Sequence, residues 1–403
     1  MPNINNPFQP TRPVFSNMFM GRLAEIDRIE TVLSETRDGN PTNLLFIGER
    51  GIGKTSLLIL SKILATDQNF MSVFITIDRR TDIFDFARKI KTAFERELRN
   101  SDKAVQKLKD LWNFLQKVEV SGLKINSGSS QNTQSEIFDN LTYTIIDTIK
   151  TITSLSDFSK FSLREKKDGL VIFIDEADNA NIDLNLGSIL KQMSERMIIE
   201  GCNNVLFIVA GLPEVRNVLI TSHGSALRLF EELELSVLMG EDVKEVIRRG
   251  IESANKKNKD PVVITDEALQ LIVRHAEGYP HFVQQFGYSA YDVDTDNYID
   301  KDDMKVAILA AINLIGNRYY KDMYFNKIKE DSYREVLKIM SENYNGWVTK
   351  DEIRKKFSGK ETTLTNALKA LNDRNIILKK AGARGTYRLQ WAGFALWIYL
   401  FHK

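Results

Sequence analysis

A chain of 403 residues exceeds one ordinary core and predicts two or three domains, and 43% hydrophobic with 27% charged residues is the make-up of a soluble globular protein, not of a fibre or a disordered chain. Cys202 is the sole cysteine, which excludes an intrachain disulfide and a cysteine-built zinc site and fits a reducing cytoplasm. The net charge of +1 hides an asymmetry: from Asp331 to Lys403 stand 14 Lys/Arg against 7 Asp/Glu, a net of +7, so the residues before them carry −6.

The N-terminal "MPNINNPFQPTRP" has no apolar signal core, and the longest apolar run, Ala392 to Phe401, is ten residues, about half of what a bilayer-spanning helix needs. The expectation is a cytoplasmic protein, neither secreted nor membrane-embedded.

The first element with chemistry is "FIGERGIGKTSLL". Gly48-Glu49-Arg50-Gly51-Ile52-Gly53-Lys54-Thr55 fits G-x-x-x-x-G-K-[ST], follows the strand-like "LLFI" and opens a helix-like run at Ser56. Glycines let successive backbone N–H groups turn toward a β-phosphate, and the helix N-terminus presents its positive dipole to the same anion. This nominates Gly48 to Ser56 as a nucleotide cradle, with Lys54 on the β- and γ-phosphates and Thr55 on Mg²⁺. "SVFITI" (Ser72 to Ile77) predicts a second strand. A polar stretch, "SGLKINSGSSQNTQS", marks residues from about 97 to 167 as a mobile insertion.

"GLVIFIDEAD" (Gly169 to Asp178) predicts a strand buried on both faces that ends at Asp175. Asp175 is the expected holder of the Mg²⁺ shell, and Glu176 the residue that orients or deprotonates an attacking water, so hydrolysis of ATP is expected as well as binding. The alternative is that Asp175 to Asp178 only caps a helix. "NVLFIVA" (Asn204 to Ala210) adds a further strand, and strands alternating with helical stretches predict a parallel three-layer α/β sheet.

From Glu241 to about Tyr324 four helical patterns follow. "DVDTDNYIDKDD" (Asp292 to Asp303) has the ligand spacing of a calcium loop, but Asn297 replaces the turn glycine and Asp303 the bidentate glutamate. The preferred reading is a polar loop with Asp300 as N-cap of the next helix, paired with Asp303. The four histidines, His223, His275, His281 and His402, lack metal-ligand spacing. After Asp331 the order is helix, turn, helix, turn, helix, then two β-like runs around Ala381 to Gly385. In the third helix Leu364, Ala367, Leu368 and Leu371 form the apolar stripe, and Lys379, Lys380, Arg384 and Arg388 surround the hairpin, which reads as a winged helix-turn-helix.

Taken together, these segments resemble the AAA+ and STAND group of P-loop ATPases, especially the archaeal ATPases and origin-recognition-type initiators, over nearly the whole chain. "FMGRLAEIDRIETVL" (Phe19 to Leu33) is similar to the family's entry box, which implies that Gly21 and Arg22 lie near the adenine; an ordinary turn with a capped helix is the alternative. Ala210-Gly211 departs from the polar sensor position of the family. Arg228 in "SALRLF" matches the place of an arginine finger, a surface salt bridge being the rival reading. "GYP" resembles the lid signature whose proline, here Pro280, lies against the adenine, and His281 stands where a second sensor arginine is usual.

The resemblance implies an N-terminal adenine-side segment (1–40), an ATPase core (41–238), a helical lid (239–325) and a winged helix domain (326–403), with ATP and Mg²⁺ as cofactors and a nucleotide-dependent homo-oligomer. Two outputs stay open. One is duplex DNA bound through the basic winged helix. The other is a STAND-like signalling ATPase, as in antiviral defence, whose winged helix binds a protein partner or holds an autoinhibited state.

Overall fold

The computed structural model describes residues 6–13, 18–98, 110, 113, 116, 131–153, 166–344, 346–380 and 382–402. The chain divides into two compact units, Arg22–Ser236 and a second made of Met1–Gly21 with Val237–Lys403.

In the first unit five parallel strands form one sheet: β1 Asn43–Ile47, β2 Phe70–Thr76, β3 Gly169–Asp175, β4 Val205–Gly211 and β5 Phe230–Glu234, in the order β2-β3-β4-β1-β5. All seven residues of β3 and of β4 are buried, as continuous apolar runs require when helices cover both faces. The register pairs Thr76 with Asp175, Ile174 with Val209 and Ile47 with Gly211, so the carboxyl ends of β1, β3 and β4 lie at one edge. Ligands of open α/β sheets bind at that edge. Helices Leu23–Arg37, Lys54–Asp67, Ile83–Glu97, Leu186–Ile199 and Val215–Ser222 follow the strand-and-helix alternation.

The span read as a mobile insertion needs correction. Residues Gln131–Thr153 form a 23-residue helix whose Ile137, Leu141, Ile145, Ile149 and Ile152 are buried in the same core as Ile90, Phe94 and Met193. Burying those five side chains on one face is what fixes the helix to the sheet. Of the rest of the span, 99–109, 111–112, 114–115, 117–130 and 154–165 lie outside the described residues.

The second unit carries the four expected helices, Gly240–Asn255, Asp266–Ala276, Pro280–Val293 and Lys301–Ile315, with a two-stranded parallel pair, β6 Val263–Ile264 and β7 Tyr298–Ile299. Its core also takes Phe8, 2% exposed and edge-on to Tyr291 at 6.5 Å, so residues before Gly21 pack with these helices while Arg22 onward packs with the sheet. Asp300 caps Lys301–Ile315: its Oδ1 accepts from the N–H of Asp302 (2.7 Å) and Asp303 (3.1 Å), and Asp303 Oδ2 accepts from the Asp300 N–H (3.1 Å). Asn297 takes the left-handed φ of +66° in the loop before it.

Two π-helical turns, Gly316–Tyr320 and Met323–Lys327, lead into the C-terminal part. There the order is helix Asp331–Ser341, β8 Val348–Thr349, helices Lys350–Lys356 and Glu361–Asp373, β9 Ile377–Lys379, β10 Thr386–Leu389 and helix Ala392–Phe401, with an antiparallel sheet β8-β10-β9. Leu364, Ala367, Leu368 and Leu371 are buried, and Trp397 and Phe394 fill the same core. No described helix is long and apolar enough to cross a membrane.

Candidate nucleotide site

The loop after β1 is shaped by two left-handed glycines, Gly51 at φ +83° and Gly53 at φ +100°, a region that costs side chains with a Cβ dearly. Gly53 is the N-cap of helix Lys54–Asp67, whose first-turn N–H groups have no partner within the helix. Lys54 reaches back across the loop, its Nζ donating to the carbonyls of Gly48 (2.7 Å) and Glu49 (2.9 Å). Burial pushes its pKa below the usual lysine value, opposed by the charges of Asp178 and Asp175.

One residue on, the Thr55 hydroxyl donates to Asp175 Oδ2 at 2.7 Å, joining the start of this helix to the end of β3. Asp175 is 5% exposed, and its Oδ1 accepts from the Glu176 N–H at 2.9 Å. Burial raises its carboxyl pKa, against the pull of the Thr55 and Glu176 hydrogen bonds. Glu176 adopts φ +55°, and its exposed side chain accepts from Asn179 Nδ2 at 3.2 Å. Partial desolvation at the strand ends, then the charges of Asp175 and Asp178, push its carboxyl pKa upward. An ion held here would invert that logic, because its own charge dominates the site.

The donor set fits a triphosphate with a hard cation. Backbone N–H groups, a helix N-terminus and a lysine converge for the anion, and a hydroxyl and a carboxylate stand together as oxygen ligands. Gly48, Glu49, Arg50, Gly51, Ile52, Gly53, Lys54, Thr55, Ser56, Asp175 and Glu176 are thus brought together by one loop and the end of β3, two positions from β1 in the sheet.

Two further residues take part outside the P-loop and the acidic pair, and one of them, Arg22, is a residue nominated from the entry box. Asp178 Oδ1 accepts from the Leu212 N–H at 2.8 Å, tying the turn after β3 to the end of β4. A Cβ on Gly211 would stand 3.0 Å from that oxygen, so the carboxylate of Asp178 fills the place where a polar sensor side chain was sought on β4. The signal was its presence in "IDEAD"; its partner on β4 was not legible. Arg22 is the other: 4% exposed, it donates from Nη2 to the Ile52 carbonyl (3.2 Å) and to the Ser236 carbonyl, and from Nη1 to Glu25 Oε1 (3.1 Å).

Of the remaining nominees, Gly21 and Pro280 belong to the helical unit and Arg228 to the sheet unit. Gly21, at φ +70°, lies in the helical unit, where a Cβ would meet Asp242 at 2.7 Å. Pro280 opens helix Pro280–Val293, and the Gly278 carbonyl before it accepts from the Leu238 N–H at 2.8 Å. His281 faces Tyr319, Nδ1 to hydroxyl 3.3 Å. Arg228 is exposed in the short turn Ala226–Leu229, and among the described residues its guanidinium has no ion pair, so the salt-bridge reading finds no partner there.

A five-stranded parallel sheet with the P-loop after β1 and an acidic strand end two positions away is the architecture of a P-loop nucleotide-binding fold. Residues 18–207 match the AAA ATPase domain family. In fold the chain is similar to archaeal origin-recognition proteins: the Aeropyrum pernix ORC2 protein in its ADPNP–ADP complexes aligns with a TM-score of 0.59 at 12% identity, covering 97% of this chain and 94% of that one. The ADP form of the same protein gives 0.51 at 12% identity, over 96% and 94%. No curated protein sequence matches the chain.

Proposed function

We propose that this protein is a cytoplasmic, Mg²⁺-dependent ATPase that works as a nucleotide switch, with duplex DNA as the partner of its C-terminal module. The observation that carries the reading is the 2.7 Å bond from Thr55 to Asp175, which joins P-loop and acidic strand beside Glu176. That the Aeropyrum pernix ORC2 protein was solved with ADPNP and ADP supports nucleotide binding.

In this reading the P-loop N–H groups and Lys54 hold the β- and γ-phosphates, while Thr55 and Asp175 hold the cation. Bound Mg²⁺ supplies charge neutralisation across the phosphate oxygens. Glu176, at the strand end, orients and deprotonates the attacking water. Arg228 serves as a finger on a neighbouring subunit of a nucleotide-dependent homo-oligomer, and Gly21 and Pro280 lie on the adenine side.

Lys54→Ala is expected to weaken ATP binding by about 10- to 100-fold, the worth of a charge-assisted hydrogen bond. Glu176→Gln is expected to keep ATP binding and lose turnover by about 10²- to 10⁴-fold. Calorimetry and phosphate release measure the two; normal hydrolysis by Glu176→Gln removes that residue from the chemistry. Arg228→Ala should lose turnover, and mixing it with Lys54→Ala should restore part of it if the finger acts between subunits.

One observation favours the signalling alternative, in which the winged helix meets a protein instead of DNA. Helix Glu361–Asp373 carries Glu361 and Asp373 against Lys369 alone, and Glu361 engages Lys350 and Arg354. A recognition helix of this charge gives phosphates little attraction, so any DNA contact falls to the hairpin.

A further inference from the structure

Arg22 is the first residue of the sheet unit, directly after Gly21, and is nearly inaccessible to water. A buried guanidinium is tolerated only when its donors are satisfied. Here they go to three protein oxygens: Glu25, Ser236 and the carbonyl of Ile52. The last is unusual in position, because Ile52 sits between the two left-handed glycines of the P-loop.

A trans peptide is planar, and its C=O and N–H point to opposite sides. Holding the Ile52 oxygen toward Arg22 therefore turns the Gly53 N–H the other way. This peptide turns about ψ of Ile52 and φ of Gly53, and because Gly53 has no Cβ, its side of the turn offers little steric resistance to flipping. A flipped peptide would present a carbonyl oxygen where an anion needs a donor.

We propose that Arg22 is a positioning residue for the phosphates: by pinning the Ile52–Gly53 peptide, it keeps the P-loop in its anion-binding form. The proposal rests on the nucleotide-binding reading above and differs from a contact with the adenine. Glu25 supports it by holding Nη1 at 3.1 Å, which orients the fork toward Ile52 and Ser236.

The test uses the full chain and compares ATP with GTP by calorimetry for wild type, Arg22→Met, Glu25→Gln and Lys54→Ala, each below its unfolding midpoint. Arg22→Met is expected to weaken both nucleotides in parallel by about tenfold, leaving their ratio unchanged. Glu25→Gln, which keeps the Arg22 charge and serves if Arg22→Met does not fold, is expected to weaken both by a smaller common factor. In ¹⁵N-glycine-labelled protein at saturating ATP, the Gly53 amide should move downfield in wild type and less in the variants; a merely structural role would leave it at the wild-type shift once ATP is bound. A loss confined to ATP gives Arg22 to the base and overturns the proposal. Unchanged affinity for both nucleotides in the variants, with Lys54→Ala impaired, overturns it while leaving the nucleotide site standing. Absence of nucleotide binding in wild type overturns both.

Discussion

His275 shows what burial does to one side chain here. It lies on helix Asp266–Ala276 with its ring 6.1 Å from that of Phe286, and burial, aided by the charge of Arg274, pushes its pKa from 6.5 down to about 4. The folded chain therefore holds it neutral, whereas the unfolded chain takes up a proton below pH 6.5. A depressed histidine pKa means stability present above 6.5 and lost as pH falls toward 4. By pH 5.5 the loss from this group is about 1.4 kcal/mol. Urea unfolding of wild type and His275→Gln between pH 7.5 and 5 measures it: the stability gap between the two should shrink by about that amount as pH drops to 5.5. A gap independent of pH would mean the imidazole is charged or solvated in the fold.

Between elements, the decisive contacts are those that sequence distance hides. Glu277, left-handed at φ +49° after helix Asp266–Ala276, accepts from the N–H of Ala392 (2.7 Å) and Gly393 (3.2 Å), so it caps the last helix. Trp391 Nε1 donates to the Tyr279 hydroxyl at 3.0 Å beside it, and Gly316 leaves room for Trp397, whose Nε1 would stand 1.8 Å from a Cβ there. Glu277→Ala strands two partly buried N–H groups and should cost about 2 kcal/mol, Glu277→Gln about half of that, because its amide oxygen still accepts. Urea midpoints at pH 7 compare them; equal midpoints for both variants would deny the cap. Nothing local announces such a contact, since 115 residues separate Glu277 from Ala392. By contrast the pairing of Asp300 with Asp303 was legible because both partners fall within one turn. Helix Gln131–Thr153 is an intermediate case: Ile137, Leu141, Ile145, Ile149 and Ile152 do repeat with helical spacing, but the polar run before them masked the pattern. The P-loop and Asp175 were readable for the same local reason, whereas Arg22 meets Ser236 214 residues away.

At the scale of the whole molecule, the C-terminal excess of +7 is not all available to a partner. Lys350 and Arg354 pair with Glu361, Lys356 with Glu342 and Arg334 with Asp331. Lys380 and Arg388 flank the Trp347 ring at 5.9 and 5.2 Å, leaving Lys379 and Arg384 on the hairpin as exposed cations with no ion pair among the described residues. Each phosphate neutralised by a cation contributes about −0.9 to the slope of log affinity against log salt. If DNA is the partner, replacing both Lys379 and Arg384 by alanine should lower the steepness of that slope by about 2 and weaken binding at every sequence alike. Lys350→Ala should leave the slope nearly unchanged, because that cation is already spent on Glu361 and on the Thr365 hydroxyl at 2.9 Å. Anisotropy of a labelled duplex, with Glu176→Gln protein and ATP across a salt series, reads both. An unaltered slope in the double variant would take the hairpin off the phosphates, and with so little positive charge on helix Glu361–Asp373, it would turn the C-terminal module toward a protein partner.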